Sequence, residues 1–189
     1  LSELCDIYLL SNDFNALRDS TKADYIYFIK ILCLDLGEKK WHTISSRLAK
    51  RTYELWVKRG VSLANHVCSV ASRIYNHATE MEYGNHNPFS AIRRKSTQPR
   101  RVVWAKEQVR QFLDFAYGKY EYRSIGLIVH MAYEWCQRIG DMRLLTWDTV
   151  DMDKGQLNLE QSKRRSKVFL PIGDELYEML LQQKADFGF

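Results

Sequence analysis

Apolar residues in the first half of the chain recur at three- and four-residue spacing, and in part of the second half they alternate. The first pattern predicts helices and the second strands. Tyr25, Phe28, Ile29, Leu32 and Leu36 keep helical spacing after Ser20-Thr21, a capping pair, and that helix stops at Gly37. The spacing predicts another helix over about Ser45 to Lys58, ended by Gly60, and a long one from Ser62 to Tyr83, closed at Gly84. On the long helix Leu63, Val67, Val70, Ala71, Ile74, Ala78 and Met81 form one apolar stripe. Val109, Phe112, Leu113 and Ala116 mark a further helix. Ile128, Met131, Ala132 and Trp135 mark another, which leads to Arg138. QLNLE (156–160) and KVFLPI (167–172) alternate as paired strands with QSKRRS as the turn between them, and GDELYEMLLQQ restarts a helix. The expected fold class is mainly α, with a helical first half and a mixed α/β second half built on a β-hairpin.

A chain of 189 residues accommodates one large domain or two small ones. The helical pattern breaks after NHNPF, and RRKSTQPRR (93–101) follows, with five basic residues, a proline and no acid. This reads as a linker, either solvated or laid along a phosphate backbone. The expected division is 1–95, a basic linker over 96–103, and 104–189. Charge sharpens the division. Residues 1–101 carry 16 Lys+Arg against 10 Asp+Glu, residues 102–189 carry 12 against 13, and the first half is the one suited to a polyanion.

Composition excludes several classes. With 46% hydrophobic and 13% aromatic residues the chain is globular rather than disordered. No apolar run approaches the roughly 20 residues of a membrane span, and LSELCDIYLL lacks the basic start of a signal peptide, so a cytoplasmic location is expected. Cys5, Cys33, Cys68 and Cys136 are widely spaced without a C-x-x-C, and the five histidines are scattered. Buried free thiols are expected, with no metal site.

Two places carry candidate chemistry. In CQRIGDMRLLTW (136–147), Asp141 follows Arg138 by three residues, one helical turn, ahead of Leu144, Leu145 and Trp147 as core-formers. An arginine steered by a carboxylate can still grip a phosphate with its remaining donors; alternatively the two form a helix-end salt bridge. Lys163 lies at the hairpin tip, where four of the five residues from Lys163 to Lys167 are cationic, suited to a phosphate or simply solvated. The polar side of the long helix shows Ser62, Asn65, His66, Ser69, Arg73 and Asn76, either a groove-binding face or an ordinary solvated one.

In combination, CQRIGDMRLLTW followed by LNLEQSKRRSKVFLPI resembles the start of the catalytic domain of the tyrosine recombinases, the phage-type integrases. There an Arg-x-x-Glu/Asp box precedes Leu-x-Trp, and a hairpin carries a lysine. TKADYIYFIKILCLDLG and ANHVCSVASRIYNHATEMEYGNHNPFSAI, with its closing Asn-Pro, are similar to the helical, SAM-like core-binding domain. The resemblance implies site-specific DNA recombination through a tyrosine nucleophile, with neither metal nor other cofactor. Arg138 would stabilise the phosphoryl transition state, Asp141 would orient it, and Lys163 would protonate the leaving oxygen.

The partner implied is double-stranded DNA. It would be held by Lys22, Arg47, Lys50 and Arg51, by Asn65, His66, Ser69 and Arg73, by the linker residues Arg93, Arg94, Lys95, Arg100 and Arg101, and by the hairpin residues Arg164 and Arg165. A homotetramer on DNA is implied for the full-length protein, a monomer for the free fragment, and the bacterial cytoplasm or nucleoid as location. Cys136 stands where the family usually has glycine, and Asp141 replaces the commoner glutamate. No His-x-x-Arg follows Lys163, and Tyr177 is the only later tyrosine. The expectation is therefore the core-binding domain and the N-terminal part of the catalytic domain, binding DNA without cutting it. A DNA-binding regulatory module without catalysis and a structural helical interaction protein are the alternatives.

Overall fold

The computed structural model describes residues 1–98, 101–163 and 165–187. The chain divides into two compact units, Leu1–Arg100 and Arg101–Phe189. The fold is mainly α, with one small antiparallel sheet in the second unit.

The first unit contains α1 (Ser2–Leu9), α2 (Asn12–Asn15), α3 (Asp19–Leu36), α4 (Ser46–Arg59) and α5 (Val61–Glu80). The helix α3 begins ahead of the expected Ser20-Thr21 cap: Arg18 takes the extended cap position, and both hydroxyl residues lie inside the first turn. Ser45 caps α4 by accepting a hydrogen bond from the Leu48 N–H at 3.3 Å. Gly60, at φ +150°, both ends α4 and starts α5, a reversal that a side chain would resist. The long helix ends three residues earlier than its apolar spacing suggested. Glu82 turns to φ +58°, and Met81, assigned to the stripe, is half exposed.

Val67, Val70, Ala71, Ile74 and Ala78 do face the core, against Leu4, Tyr8, Leu32, Trp56 and Phe89. Two polar devices hold this core in register. Trp56 donates its indole N–H to Asp35 at 2.7 Å. Asn87, of the closing Asn-Pro, donates to the Ser72 carbonyl at 3.0 Å and accepts from the Phe89 N–H at 2.9 Å, pinning the segment that leaves α5 back onto that helix.

The second unit contains α6 (Lys106–Tyr117), α7 (Arg123–Glu134), α8 (Ile139–Arg143), β1 (Val150–Asp151), β2 (Gln156–Glu160), β3 (Lys167–Pro171) and α9 (Asp174–Phe187). The sheet order is β1-β2-β3, and Leu157 pairs with Leu170 and Leu159 with Val168. Leu157 and Leu159 are buried while Asn158 and Glu160 are exposed, as the alternation predicts. The strand β1 has only two residues, too few for an alternating pattern. The core joins Leu127, Met131 and Trp135 of α7 to the sheet and to Leu176 and Leu180 of α9. Leu144, expected in this core, is instead 70% exposed, because it follows the short α8 on its outer side.

Candidate functional site

The helix α7 does not run through to Arg138. Its cap is Trp135, and Cys136 then adopts φ +51°, a left-handed turn rare for a residue with a Cβ. The turn redirects the chain, so that Arg138 stands in the extended cap position of α8 at φ −69° and ψ 137°. Arg138 and Asp141 therefore do not share a helical face. They meet because the cap residue leans over the first turn.

Asp141 is buried, and Arg138 is about half exposed. The Arg138 Nη1 stands 3.8 Å from Asp141 Oδ2, an ion pair without a hydrogen bond. The other carboxylate oxygen accepts from the Ser162 N–H at 3.4 Å. Arg138 thus keeps most of its donors for an external oxygen anion, while a buried negative charge steers it.

The β2–β3 turn is brought to this place by amides. Gln161 donates its side-chain N–H to Gln137 Oε1 at 2.6 Å, and Gln137 in turn donates to the Trp135 carbonyl at 2.9 Å. The turn itself closes with Gln161 N–H to the Ser166 carbonyl at 2.9 Å and Arg165 N–H to the Gln161 carbonyl at 2.8 Å, with Arg165 at φ +53°. Lys163 and Arg165 are exposed. Residues adjacent to Lys163 are therefore fastened to residues adjacent to Arg138. Neither glutamine was singled out in the sequence, where two amides 24 positions apart carry no pattern.

A polar chain supports α7 from behind. Burial first, then the charges of Glu175 and Glu134, push the Tyr117 hydroxyl pKa up, and that hydroxyl shares a hydrogen bond with His130 Nδ1 at 2.8 Å. His130 Nε2 lies 3.5 Å from Glu134, and Glu134 accepts from the Gly173 N–H at 2.8 Å. Trp135 donates to the Pro171 carbonyl at 2.8 Å. These bonds tie the end of α7 to the β3–α9 connection and hold the base from which Cys136 turns.

Residues 103–186 match the phage integrase family. The second unit is a phage integrase domain. The match falls on the second unit, the part of the chain whose motifs resemble the tyrosine recombinases. No curated protein sequence is significantly similar to the chain. Among solved structures, a lambda integrase dimer bound to a COC′ core site superposes with a TM-score of 0.83 at 20% identity, over 98% of this chain and 54% of the other. A lambda integrase tetramer bound to a Holliday junction gives 0.82 at 20% identity, over 97% and 56%. The Tn1549 transposon integrase in complex with circular intermediate DNA gives 0.75 at 17% identity, over 96% and 63%. At such identities the likeness is one of fold. The chain spans about half the length of the first of these relatives.

In the unit that precedes the integrase domain, Lys50, Arg93 and Lys95 converge. With Ser46, Tyr53 and Glu54 they line a cavity of about 510 Å³. Arg47 and Arg51 are exposed on α4. Arg94 lies against Cys68, whose thiol pKa burial pushes up while the guanidinium opposes. Other residues proposed for nucleic acid have partners within the unit. Lys22 pairs with Asp19 at 3.7 Å, His66 stacks on Phe28 with ring centres 5.0 Å apart, and Asn65 bridges Tyr53 and Lys95. Arg73 reaches Asp13 at 3.1 Å. Ser69 is partly buried on α5, and Arg101 is exposed. Arg100 and Arg164 lie outside the described residues.

Asp13, His77 and Glu80 gather their ligand-type atoms within 4.8 Å of one another, a grouping that the scattered histidines did not foretell. The Arg73 guanidinium already occupies Asp13 there, a fixed positive charge that disfavours a cation. The described cysteines are free thiols; Cys5 and Cys68 are buried as expected, but Cys33 is only partly buried and Cys136, on the turn after α7, is exposed. No helix among the described residues is long and apolar enough to cross a membrane.

Proposed function

We propose that the chain grips duplex DNA with its first unit and presents a scissile phosphate to Arg138 and Lys163 for site-specific recombination. The observation that carries this reading is the fastening of the β2–β3 turn to the Arg138 segment through Gln161–Gln137 at 2.6 Å and Ser162–Asp141 at 3.4 Å. It supports one cation on an ordered strut and a second on a tethered turn beside it. Arg138, steered by Asp141, would take up the charge growing on the non-bridging oxygens as a tyrosine hydroxyl attacks phosphorus. Lys163 would give its proton to the departing 5′-oxygen, so that the P–O5′ bond breaks to leave a 5′-hydroxyl, the tyrosine's own proton passes to solvent, and the phosphate stays on the tyrosine for rejoining. No metal or other cofactor takes part in this proposal. Function in paired sites would use a homotetramer on DNA, with a monomer in its absence.

A second reading takes Tyr177, half-buried on α9, as no nucleophile. On that reading these 189 residues by themselves bind DNA without cutting it, as a regulatory module. The test of DNA holding is the salt dependence of duplex affinity. The logarithm of affinity should fall with a slope of about −0.9 per phosphate neutralised. Arg51→Ala should weaken binding without unfolding the unit. Binding that is absent at low salt would overturn both readings. In a protein that also carries the nucleophile, Arg138→Ala should leave affinity near the parent's and lower cleavage by about 10²–10³, whereas equal cleavage would overturn the role given to Arg138.

A further inference from the structure

Residues 93–98 have no regular secondary structure, yet one of them is gripped on both sides of its backbone. The Lys95 N–H donates to the Tyr53 hydroxyl at 2.7 Å. That hydroxyl donates to Asn65 Oδ1 at 2.8 Å, and Asn65 Nδ2 donates to the Lys95 carbonyl at 2.8 Å. The three bonds close a ring. They also fix the Asn65 amide orientation, since the reverse would set oxygen against the Lys95 carbonyl. Tyr53 is buried on α4 and Asn65 is half-buried on α5, so the ring joins two helices to the segment that leaves the unit.

Neighbouring side chains divide accordingly. Arg94 lies against Cys68 of α5, while Arg93 and Lys95 border the cavity of about 510 Å³ that Lys50 also lines. Without the ring, three consecutive cations would repel one another and move freely, and each would lose conformational entropy on meeting a phosphate. With it, that loss is incurred on folding.

We propose that Tyr53 and Asn65 are positioning residues for DNA binding: they latch the backbone of Lys95 so that Arg93, Lys95 and Lys50 form one prearranged phosphate-binding cluster. This rests on the reading that the first unit holds DNA. Neither residue need touch the nucleic acid. Tyr53→Phe keeps the ring packing and removes only the hydroxyl, so the unit should fold as the parent does.

The experiment compares the parent chain with Tyr53→Phe and Asn65→Ala on a mixed-sequence duplex over a range of salt, alongside limited trypsin digestion without DNA. Both variants should bind about tenfold more weakly, with a log–log salt slope shallower by roughly 0.9 to 1.8 as one or two phosphate contacts are lost. Trypsin should cut after Arg93, Arg94 and Lys95 several-fold faster in each variant, a change that a lost direct contact of the side chains with DNA would not produce. A parent that binds and variants that match it in affinity, slope and cutting rate would overturn the latch. Weaker binding with an unchanged cutting rate would overturn it too, by making the two side chains direct contacts. A parent that fails to bind duplex DNA would instead overturn the functional reading on which the latch rests.

Discussion

Replacing Cys136 with glycine tests the turn that delivers Arg138. Cys136 sits just past the cap of α7 at φ +51°, and a Cβ-bearing residue held in this region costs about 1–2 kcal/mol relative to glycine. Two terms oppose the gain. The glycine has more freedom to lose on folding, about 0.4–1 kcal/mol. The thiol also gives up a contact with the Tyr133 carbonyl at 3.8 Å, a weak sulfur hydrogen bond on an exposed side chain. The net expectation is that Cys136→Gly stabilises the second unit by about 0.5–1 kcal/mol. For a unit of this size that raises the melting temperature by about 2–8 °C. Thermal unfolding followed by circular dichroism, checked by urea titration with an unchanged slope, reads the change directly. A variant less stable than the parent would refute the reasoning, since it would mean that the turn is held by the thiol rather than strained by its Cβ.

Gly126→Ala should destabilise the α6–α7 packing by about 1–3 kcal/mol, because the added Cβ would stand 2.9 Å from the Ala116 Cβ and 3.0 Å from the Tyr117 ring; equal urea midpoints would contradict this. Arg138→Ala strands the buried Asp141 carboxylate without its counter-charge and should cost about 1 kcal/mol, well below a fully buried pair because Arg138 is half exposed. A denaturation midpoint equal to the parent's would show that the two are not coupled. Arg123, hydrogen-bonded to both oxygens of Asp186 at 3.0 and 2.9 Å, holds that carboxyl pKa below its ordinary value, with Gln182 assisting. Because the folded pKa is depressed, the stabilisation is complete above the ordinary value of 3.8 and is lost as pH falls through the lower, folded one. Asp186→Asn should flatten the acid limb of the stability profile, and an unchanged limb would assign it to other carboxylates.

Much of this fold was legible along the chain, because the helices and the hairpin are amphipathic and local. The stripe of α5 and the alternation of β2 state which side faces a core before any partner is known. The hairpin bounds follow from turn residues, which are also local. The expectations that failed were at boundaries: the Ser20-Thr21 cap, the end of α5 and the burial of Leu144. There spacing alone competes with a single backbone angle or with a neighbouring element.

The sequence by itself determined the residue types at the candidate site and their order, since an arginine, an acid, a leucine-tryptophan pair and a hairpin lysine are adjacent or nearly so in the chain. Only the tertiary structure decided how they meet. It moved Arg138 off the helix by a left-handed turn at Cys136, joined Gln137 to Gln161, and clasped Lys95 between Tyr53 and Asn65. These contacts join residues distant in sequence through one or two hydrogen bonds each. Their partners are ordinary amides and a hydroxyl whose meaning arises only when folding brings them within about 3 Å, and no periodicity records them.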